Sequence, residues 1–290
     1  MNPVTAKWQT ALLWGMLILY GLARICQLYA DRLPALLIVV LHVVPPAVFA
    51  AVHGSILYRV RGMLAFTAFC LGTAGLCEIL SLHTGVPFGH YYFTNVMGPK
   101  IFNLPILLVL AYLGIGYCSW VLSLLILGYR NKPLVGARVV ALPILAGFIM
   151  LAWDLSMEPY WATVVRAWIW RDGGPFYGVP VSNFLGWYLT AYLFYQAFAL
   201  YFRARPTPLP PTSRSYWPTP ILFYGICALG NLLILRLPMA PPVVMDATGK
   251  QWITMDILGT TALMSLLVMG PMALLAWLRL REQESEPLQP

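Results

Sequence analysis

Charged residues are scarce in this chain of 290 residues: they make up 10% of the sequence, whereas hydrophobic residues make up 60%. A soluble protein cannot cover its surface with so few charges, so the composition excludes an ordinary soluble protein and predicts a polytopic membrane protein. Acidic residues are the scarcest, with 10 against 18 lysines and arginines. The basic residues lie in separate short loops and form no single patch, which indicates membrane topology and argues against nucleic-acid binding.

Several motifs that mark known sites are also missing. The sequence contains no glycine-rich nucleotide loop, no Gly-x-Ser-x-Gly nucleophile motif and no His-Glu-x-x-His zinc motif. It has no Asp-x-x-x-Asp motif of a magnesium–diphosphate site, which argues against a prenyltransferase. The five cysteines form no Cys-x-x-Cys pair and lie in apolar segments, so they are predicted to be free buried thiols. No metal and no cofactor are expected.

Eight apolar stretches are long enough to cross a bilayer, which takes about 20 residues in a helix. They are residues 8–29, 34–57, 63–82, 102–127, 134–157, 183–202, 218–237 and 256–278. The second contains the Pro45–Pro46 pair, and if either it or the seventh does not span, seven spans remain. The predicted fold is therefore an all-α transmembrane bundle of seven to eight spans with two long aromatic-rich loops on one face.

The loop charges predict an orientation. Basic residues are more numerous in the segments on the side of the N-terminus, so both termini are predicted to be cytoplasmic in a multi-pass protein of the cell (inner) membrane. No small-residue cleavage site follows the first stretch, which is predicted to be a retained helix. The chain divides into a six-helix body (1–202), a proline-rich linker (203–220), a helical hairpin (221–281) and a disordered tail (282–290).

The two long loops, 83–101 and 158–182, are rich in glycine, proline and aromatic residues. Under this topology both open on the same membrane face. Their tryptophans have two interpretations, a binding surface or an interfacial aromatic belt without further function. A weak duplication connects the loops, because each follows an acid in a helix and precedes an asparagine that opens the next helix, Asn103 or Asn183.

Three carboxylates border these loops and are the main candidates for chemistry. Glu78 lies near the end of the third stretch, Asp154 in the last turn of the fifth, and Glu158 one turn later. Pro159 disfavours helix at Glu158, so the fifth helix is expected to stop there. An ionised carboxylate is costly inside a membrane, so such groups pair, line water or stay protonated. A protonated acid can deliver a proton to a poor base. The alternative is a structural salt bridge to one of three arginines, Arg24, Arg166 or Arg171.

Four histidines have simpler interpretations. His83 and His90 are seven residues apart across two glycines and a proline, which matches no zinc motif and favours interfacial hydrogen bonding. His42 and His53 are interpreted as helix-packing residues. The many aromatic residues suit a slot for a long, conjugated apolar ligand, and their π faces would stabilise a carbocation.

Four motifs together resemble the carotenoid biosynthesis membrane-protein family, which includes carotenoid hydratases of the bisanhydrobacterioruberin hydratase type. The motifs are Glu78-x4-His83-Thr-Gly-x-Pro-Phe-Gly-x-Tyr-x-Phe-Thr, Gly98-Pro-x5-Pro105, Asp154-x3-Glu158-Pro and Gly173-x2-Phe-Tyr-Gly-Val-Pro-x2-Asn183-Phe-x-Gly-Trp187. The resemblance covers roughly residues 10–280. It implies acid-catalysed addition of water to the terminal double bond of an acyclic carotenoid, without a redox cofactor.

On this reading Asp154 or Glu78 donates the proton, and Glu158 or His83 holds the water. The residues expected to contact the substrate are Phe88, His90, Tyr91, Trp153, Tyr177, Asn183 and Trp187. The expected partners are a long apolar carotenoid and the lipid bilayer, with no nucleic acid. Two alternatives stay open: a carotenoid end-group cyclase of the lycopene type, which starts with the same protonation, and a non-catalytic protein that binds or transports carotenoids or lipids.

Overall fold

The computed structural model describes residues 7–130, 132–206, 215–236 and 241–285. Eight α-helices dominate this part of the chain: α1 Lys7–Cys26, α2 Ala35–Thr84, α3 Ile106–Ile126, α4 Arg138–Pro159, α5 Val181–Ala204, α6 Pro218–Leu233, α7 Thr254–Met264 and α8 Gly270–Ser285. Three short antiparallel strand pairs lie between them: β1 Tyr91–Phe93 with β4 Trp168–Trp170, β2 Lys100–Ile101 with β3 Leu104–Pro105, and β5 Val243–Met245 with β6 Gln251–Ile253.

Six helices within the described residues are long and apolar enough to cross a membrane. They are Lys7–Tyr29, Ala35–Thr84, Ile106–Ile126, Arg138–Val164, Pro218–Arg236 and Thr254–Ser285. The prediction of a helical membrane protein is therefore confirmed. The sixth predicted stretch corresponds to α5, which has 24 residues but is not among these six. The number of spans, seven or eight, stays a prediction.

The helix α2 is twice the length that a bilayer needs, and it changes direction once. Arg59 has φ 57° and ψ 170°, which is not a helical conformation, so α2 consists of two helical halves. These halves correspond to the predicted stretches 34–57 and 63–82. Pro45 and Pro46 are buried inside the first half and do not end it. Gly114 of α3 lies directly against Pro46, because a Cβ atom at Gly114 would be 2.5 Å from Pro46 Cβ.

The expected end of the fifth helix at Glu158 is wrong. Helix α4 runs through Pro159 and continues as a π-helical turn over Tyr160–Val164, in which the Val165 N–H donates to the Tyr160 carbonyl at 2.9 Å. A π turn absorbs a local break in the hydrogen-bond ladder without ending the helix, and such turns are frequent at functional sites. Asp154 and Glu158 consequently stay on one helix, four residues apart and on the same face.

The two aromatic-rich loops contact each other through strands β1 and β4. Tyr91 pairs with Trp170 and Phe93 pairs with Trp168. The Arg171 N–H also donates to the His90 carbonyl at 2.8 Å. The prediction that both loops open at the same end of the bundle agrees with this pairing. The β5–β6 hairpin, which the sequence did not indicate, lies beside them, where Arg166 donates to the Met245 carbonyl at 3.1 Å.

The predicted duplication of the two loops is wrong at Asn103. This residue is exposed and, with Phe102, forms the two-residue turn between β2 and β3, whereas α3 begins only at Ile106. Both turn residues have positive φ, 51° and 63°, as a tight hairpin turn requires. Asn103 therefore forms part of a turn and does not begin a helix. Asn183 does lie in the first turn of α5.

Helix α8 continues to Ser285, so the first four residues of the tail predicted to be disordered are helical. Residues 286–290 and the middle of the proline-rich linker, 207–214, lie outside the described residues. The five cysteines are free thiols, as predicted; Cys70, Cys118 and Cys227 are buried and the other two are half-buried.

Candidate active site

Three acids form a cluster at the end of the bundle that carries the paired loops. Glu78 comes from the last two turns of α2, and Asp154 and Glu158 come from the end of α4. Their exposed fractions are 3%, 0% and 1%. Asp154 lies within electrostatic range of both other acids. Glu78, Asp154 and Glu158 are called the acid cluster below.

None of the three acids forms an ion pair with another described residue, because every ion pair in this part of the chain joins other residues. Arg24 donates to Asn231 Oδ1, Arg166 donates to a backbone carbonyl, and the Arg171 guanidinium lies over the Tyr92 ring. The salt-bridge alternative is therefore wrong for the described residues. The side chains that donate hydrogen bonds to the acid cluster are therefore neutral groups.

Two tyrosines hold the Glu78 carboxyl group. Tyr112 donates its hydroxyl to Oε1 at 2.7 Å, and Tyr91 donates its hydroxyl to Oε2 in a short hydrogen bond. Burial raises the pKa of the Tyr91 phenol well above its usual value, and the nearby Glu78 carboxylate raises it further. Tyr91 therefore keeps its proton and serves as a permanent donor to Glu78. The loop 83–101 supplies this tyrosine through β1, and α3 supplies Tyr112.

Two tryptophans hold Glu158. The indole N–H groups of Trp168 and Trp170 both donate to Oε1, at 2.6 and 2.8 Å. They can reach one oxygen because residues i and i+2 of a strand lie on the same side of it, and both belong to β4. Both side chains are buried. The interpretation of these two tryptophans as an interfacial belt is therefore wrong.

Asp154 has the fewest partners of the three acids. Asn183 of α5 donates from Nδ2 to Oδ2 at 3.2 Å, a long hydrogen bond. The other oxygen, Oδ1, is buried and has no hydrogen-bond partner among the described residues. This free oxygen distinguishes Asp154 from Glu78, whose two oxygens both accept hydrogen bonds.

A small cavity of about 20 Å³, called the acid cavity below, is lined by both Glu78 and Glu158. Its lining is mainly aromatic and apolar: Phe88, Tyr91, Phe93, Leu108, Met157, Trp168, Trp170, Asn183 and Trp187 complete it. The Trp187 ring stacks on Tyr112 at a centroid distance of 4.2 Å and meets Trp153 edge-on at 5.8 Å. Aromatic faces therefore surround the space next to the acids.

A second cavity of about 80 Å³, called the apolar slot below, adjoins the acid cavity. The two share Leu108, Met157 and Trp168 in their linings. The slot lies among α1, α2, α3, α4 and α6 and is lined mostly by apolar and aromatic side chains. The indoles of Trp153, Trp161 and Trp168 are its largest rings. A lining of apolar and aromatic side chains with a few polar groups is typical of a site for an apolar ligand.

The structure brings together most of the residues that the sequence proposed for the site. Seven of them line one of the two cavities: Glu78, Phe88, Tyr91, Trp153, Glu158, Asn183 and Trp187. Asp154 is part of neither lining, and its hydrogen bond with Asn183 places it next to the acid cavity. His83 is exposed on the last turn of α2. His90 is exposed and pairs with Asp172 at 2.9 Å, and Tyr177 is bonded to Thr260 at 2.7 Å. These three therefore lie outside the arrangement, and all the predicted roles stay predictions.

Sequence reasoning missed Tyr112, Trp168 and Trp170 as partners of the acids. The alternation of Trp168 and Trp170 was a usable signal, because it places both indoles on one side of a short strand. Tyr112 gave no such signal. It lies inside an apolar helix, where its neighbours in the sequence do not indicate which side meets an acid.

Two comparisons with known proteins give a match. The family model described as "Carotenoid biosynthesis protein" matches residues 35–248. A bisanhydrobacterioruberin hydratase from Haloarcula japonica is 30% identical over 131 residues. That match covers 45% of this chain and 42% of the relative, so the chain matches less than half the length of that protein. No solved structure gives a significant match.

Proposed function

The chain belongs to the carotenoid biosynthesis protein family, and on that premise we propose that it is a hydratase that adds water to the terminal double bond of an acyclic carotenoid. The observation that carries the proposal is the acid cluster: three buried acids, without a cation partner among the described residues, beside an apolar slot. The similarity to a bisanhydrobacterioruberin hydratase supports the same reaction class.

The proton donor in this proposal is Asp154. A donor must carry its proton and direct it at the alkene, so its hydroxyl must not be occupied by a protein partner. Asp154 Oδ1 meets this requirement, since it has no partner among the described residues. Glu78 is less suited, because Tyr91 and Tyr112 occupy both of its oxygens with hydroxyl donors, which stabilise a carboxylate anion.

The other two acids and the aromatic rings then stabilise the cation. Transfer of the proton to the alkene CH carbon leaves a tertiary carbocation on the neighbouring carbon. Fixed negative charge and π faces close to a developing cation lower the barrier, because they need no rearrangement during the reaction. Glu78, Glu158 and the ring of Trp187 border the acid cavity where this charge would develop.

Water completes the reaction. Its oxygen forms a bond to the cationic carbon, and one of its protons leaves, so the net change is addition of one water molecule. No electrons are gained or lost, and the chemistry requires no redox cofactor. The substrate is a long apolar carotenoid that reaches the slot from the lipid bilayer. Cytoplasmic termini and a place in the cell membrane remain part of this proposal.

Expression in a host that accumulates lycopene tests the function. A hydratase gives a carotenoid heavier by one water. An unchanged mass with a new ring would identify a cyclase. Unchanged lycopene that co-purifies with the protein would identify a carotenoid-binding protein. Either of the last two results refutes the hydratase assignment.

The Asp154→Asn variant tests the donor. Asparagine keeps the volume and the contact with Asn183 but carries no transferable acid proton. Loss of a general acid typically lowers the rate by about 10²–10⁴-fold, so we expect hydrated product to fall by that factor. Asp172→Asn is the matched control, because Asp172 is exposed and pairs only with His90 among the described residues. Hydration by Asp154→Asn within tenfold of that control would exclude Asp154 as the donor.

A further inference from the structure

A buried arginine lies at the apolar slot without an acidic partner. Arg24 of α1 has an exposed fraction of 6% and is the only buried arginine or lysine among the described residues. Its hydrogen bonds go to neutral oxygens, Asn231 Oδ1 and, at 3.4 Å, the Cys227 carbonyl. An arginine inside a membrane protein is costly and marks a functional position more often than a structural one.

Two polar atoms at this position have no hydrogen-bond partner among the described residues. They are Arg24 Nε and His42 Nε2, both of them buried. His42 Nδ1 lies 2.7 Å from the Ile38 carbonyl, so Nδ1 carries the hydrogen and Nε2 presents a lone pair. Arg24 and His42 both line the apolar slot. One unused N–H donor and one unused acceptor complement a molecule that both accepts and donates a hydrogen bond.

Neighbouring residues fix Arg24 in this position. Asn231 accepts from the guanidinium and donates from Nδ2 to Ser156 at 3.0 Å and to Ser265 at 2.9 Å. Gly230 leaves the space that the arginine needs, because a Cβ atom there would lie 1.9 Å from Arg24 Nε. The guanidinium is therefore held by a network that reaches α4 and a second π-helical turn, Ser265–Met269, which precedes α8.

We propose that Arg24 and His42 hold the water molecule that attacks the carbocation. The inference rests on the proposed hydratase function and names the water site within it. A buried water typically bridges two to four otherwise unpaired polar groups, and this pair is unpaired beside a cavity with room for water. The slot adjoins the acid cavity at Leu108, Met157 and Trp168, which line both, so the proposed water site lies in the cavity next to that of the acids.

The step balances in atoms and charge. The water accepts a hydrogen bond from Arg24 Nε–H and donates one to His42 Nε2. Its oxygen lone pair forms the new C–O bond, its O–H bond breaks, and that proton passes to Nε2. The proton then returns through slot water to the Asp154 carboxylate, which lost one proton to the alkene. Alkene and water are consumed, alcohol is formed, and both side chains recover their starting states.

This assignment makes His42 and Arg24 determinants of the product. A tertiary cation that water does not capture loses a proton, which returns the alkene or an isomer, or it cyclises. Removing the water site should therefore change the product and leave protonation in place. Removing the proton donor should stop both.

The experiment compares products from the full-length protein in D₂O with lycopene as the substrate. The variants are His42→Phe, Arg24→Met and Gly230→Ala, with Arg279→Met as the control, since Arg279 is exposed and pairs with Glu282 on α8. Mass spectrometry separates the alcohol, which is heavier by one water, from carotenoid with the mass of the substrate. Deuterium in the recovered carotenoid records protonation of the alkene. We expect the alcohol fraction to fall at least tenfold in the three variants, with deuterium incorporation retained. The control keeps the wild-type fraction.

Three outcomes overturn the inference. In the first, variants that incorporate deuterium keep the wild-type alcohol fraction. In the second, the alcohol fraction and the deuterium incorporation both fall in all three variants and also in the milder variants His42→Gln and Arg24→Lys. That result would mean that these residues act on folding or on protonation. In the third, the His83→Phe variant loses the alcohol product and the His42→Phe variant keeps it, which assigns the water to His83. A wild-type protein that forms no alcohol refutes the proposed function itself, which separates the two failures.

Discussion

Gly186 of α5 lies where the loop 83–101 closes over the acid cavity, and adding one methyl group there tests that closure. A Cβ atom at this position would lie 2.7 Å from Phe88 Cδ1, 2.9 Å from the Pro87 carbonyl oxygen and 3.0 Å from its carbonyl carbon. Two of these three neighbours are backbone atoms, which cannot turn aside as the end of a side chain can. The Gly186→Ala variant must therefore displace the loop that carries Phe88.

The magnitude follows from two opposing effects. Alanine in a helix is favoured over glycine by about 1 kcal/mol. An extra methyl group in a well-packed interior costs about 1–3 kcal/mol. The net loss is then between zero and about 2 kcal/mol, or up to about 8 °C in the unfolding temperature at the 2–4 °C per kcal/mol typical of chains of 150–250 residues. Phe88 is 1% exposed and lines the acid cavity, so its displacement also disturbs the site.

The assay measures thermal unfolding of the detergent-solubilised protein together with product yield on lycopene. Gly75→Ala in α2 is the matched control, because a Cβ atom there meets nothing within 4 Å. We expect the control to unfold at or slightly above the wild-type temperature with full yield. Gly186→Ala should unfold lower and give less product. Equal unfolding temperatures and equal yields in the two variants would refute the close packing of the loop on α5.

Other changes test the partners of the acids. Tyr112→Phe removes the hydroxyl that donates to Glu78 Oε1 at 2.7 Å while the stacked ring is kept, so we expect a stability loss of about 1–3 kcal/mol in thermal unfolding and lower product yield; an unchanged midpoint would contradict the hydrogen bond. Trp168→Phe and Trp170→Phe each remove one of two donors to the same Glu158 oxygen. In a double-mutant cycle followed by product yield, we expect the double change to cost more than the sum of the single changes, and strict additivity would show that the two donors do not share Glu158.

The helices could be predicted from the sequence because their signal is local. A run of about 20 apolar residues suffices to identify a spanning segment, and the predicted stretches lie on the observed helices, including the two halves of α2 on either side of Arg59. The boundary at Pro159 was wrong because a rule for one residue ignores the π turn that lets the helix continue. The strands β1 and β4 have three residues each, so apart from the alternation of Trp168 and Trp170 their pattern is too short to predict a strand.

The positions of the acids could be predicted, but the residues around them could not. An acid in an apolar helix is visible in the sequence, whereas its hydrogen-bond partners depend on how helices and loops pack. Glu78 receives one donor from β1 and one from α3, which are separated from it by 13 and 34 residues. Arg24 was predicted as a possible partner of the acids from its charge alone, because the sequence does not show which helices pack together. Helix α1 contacts α2 and α6, and Arg24 accordingly meets Asn231.

The separation of Arg24 from the acid cluster is itself an argument for the proposed chemistry. An arginine bonded to Asp154 would hold it as a carboxylate, since an opposite charge at short range favours the ionised form, and the donor would be lost. Arg24 instead lies at the apolar slot, where it pairs with no acid among the described residues and its Nε–H has no hydrogen-bond partner among them. Glu78 and Glu158 thus line one cavity and Arg24 lines the adjoining one, and the two cavities share Leu108, Met157 and Trp168. A reaction that adds a proton to one alkene carbon and water to the next can use both positions, since the acid stays protonated and the arginine stays available for water.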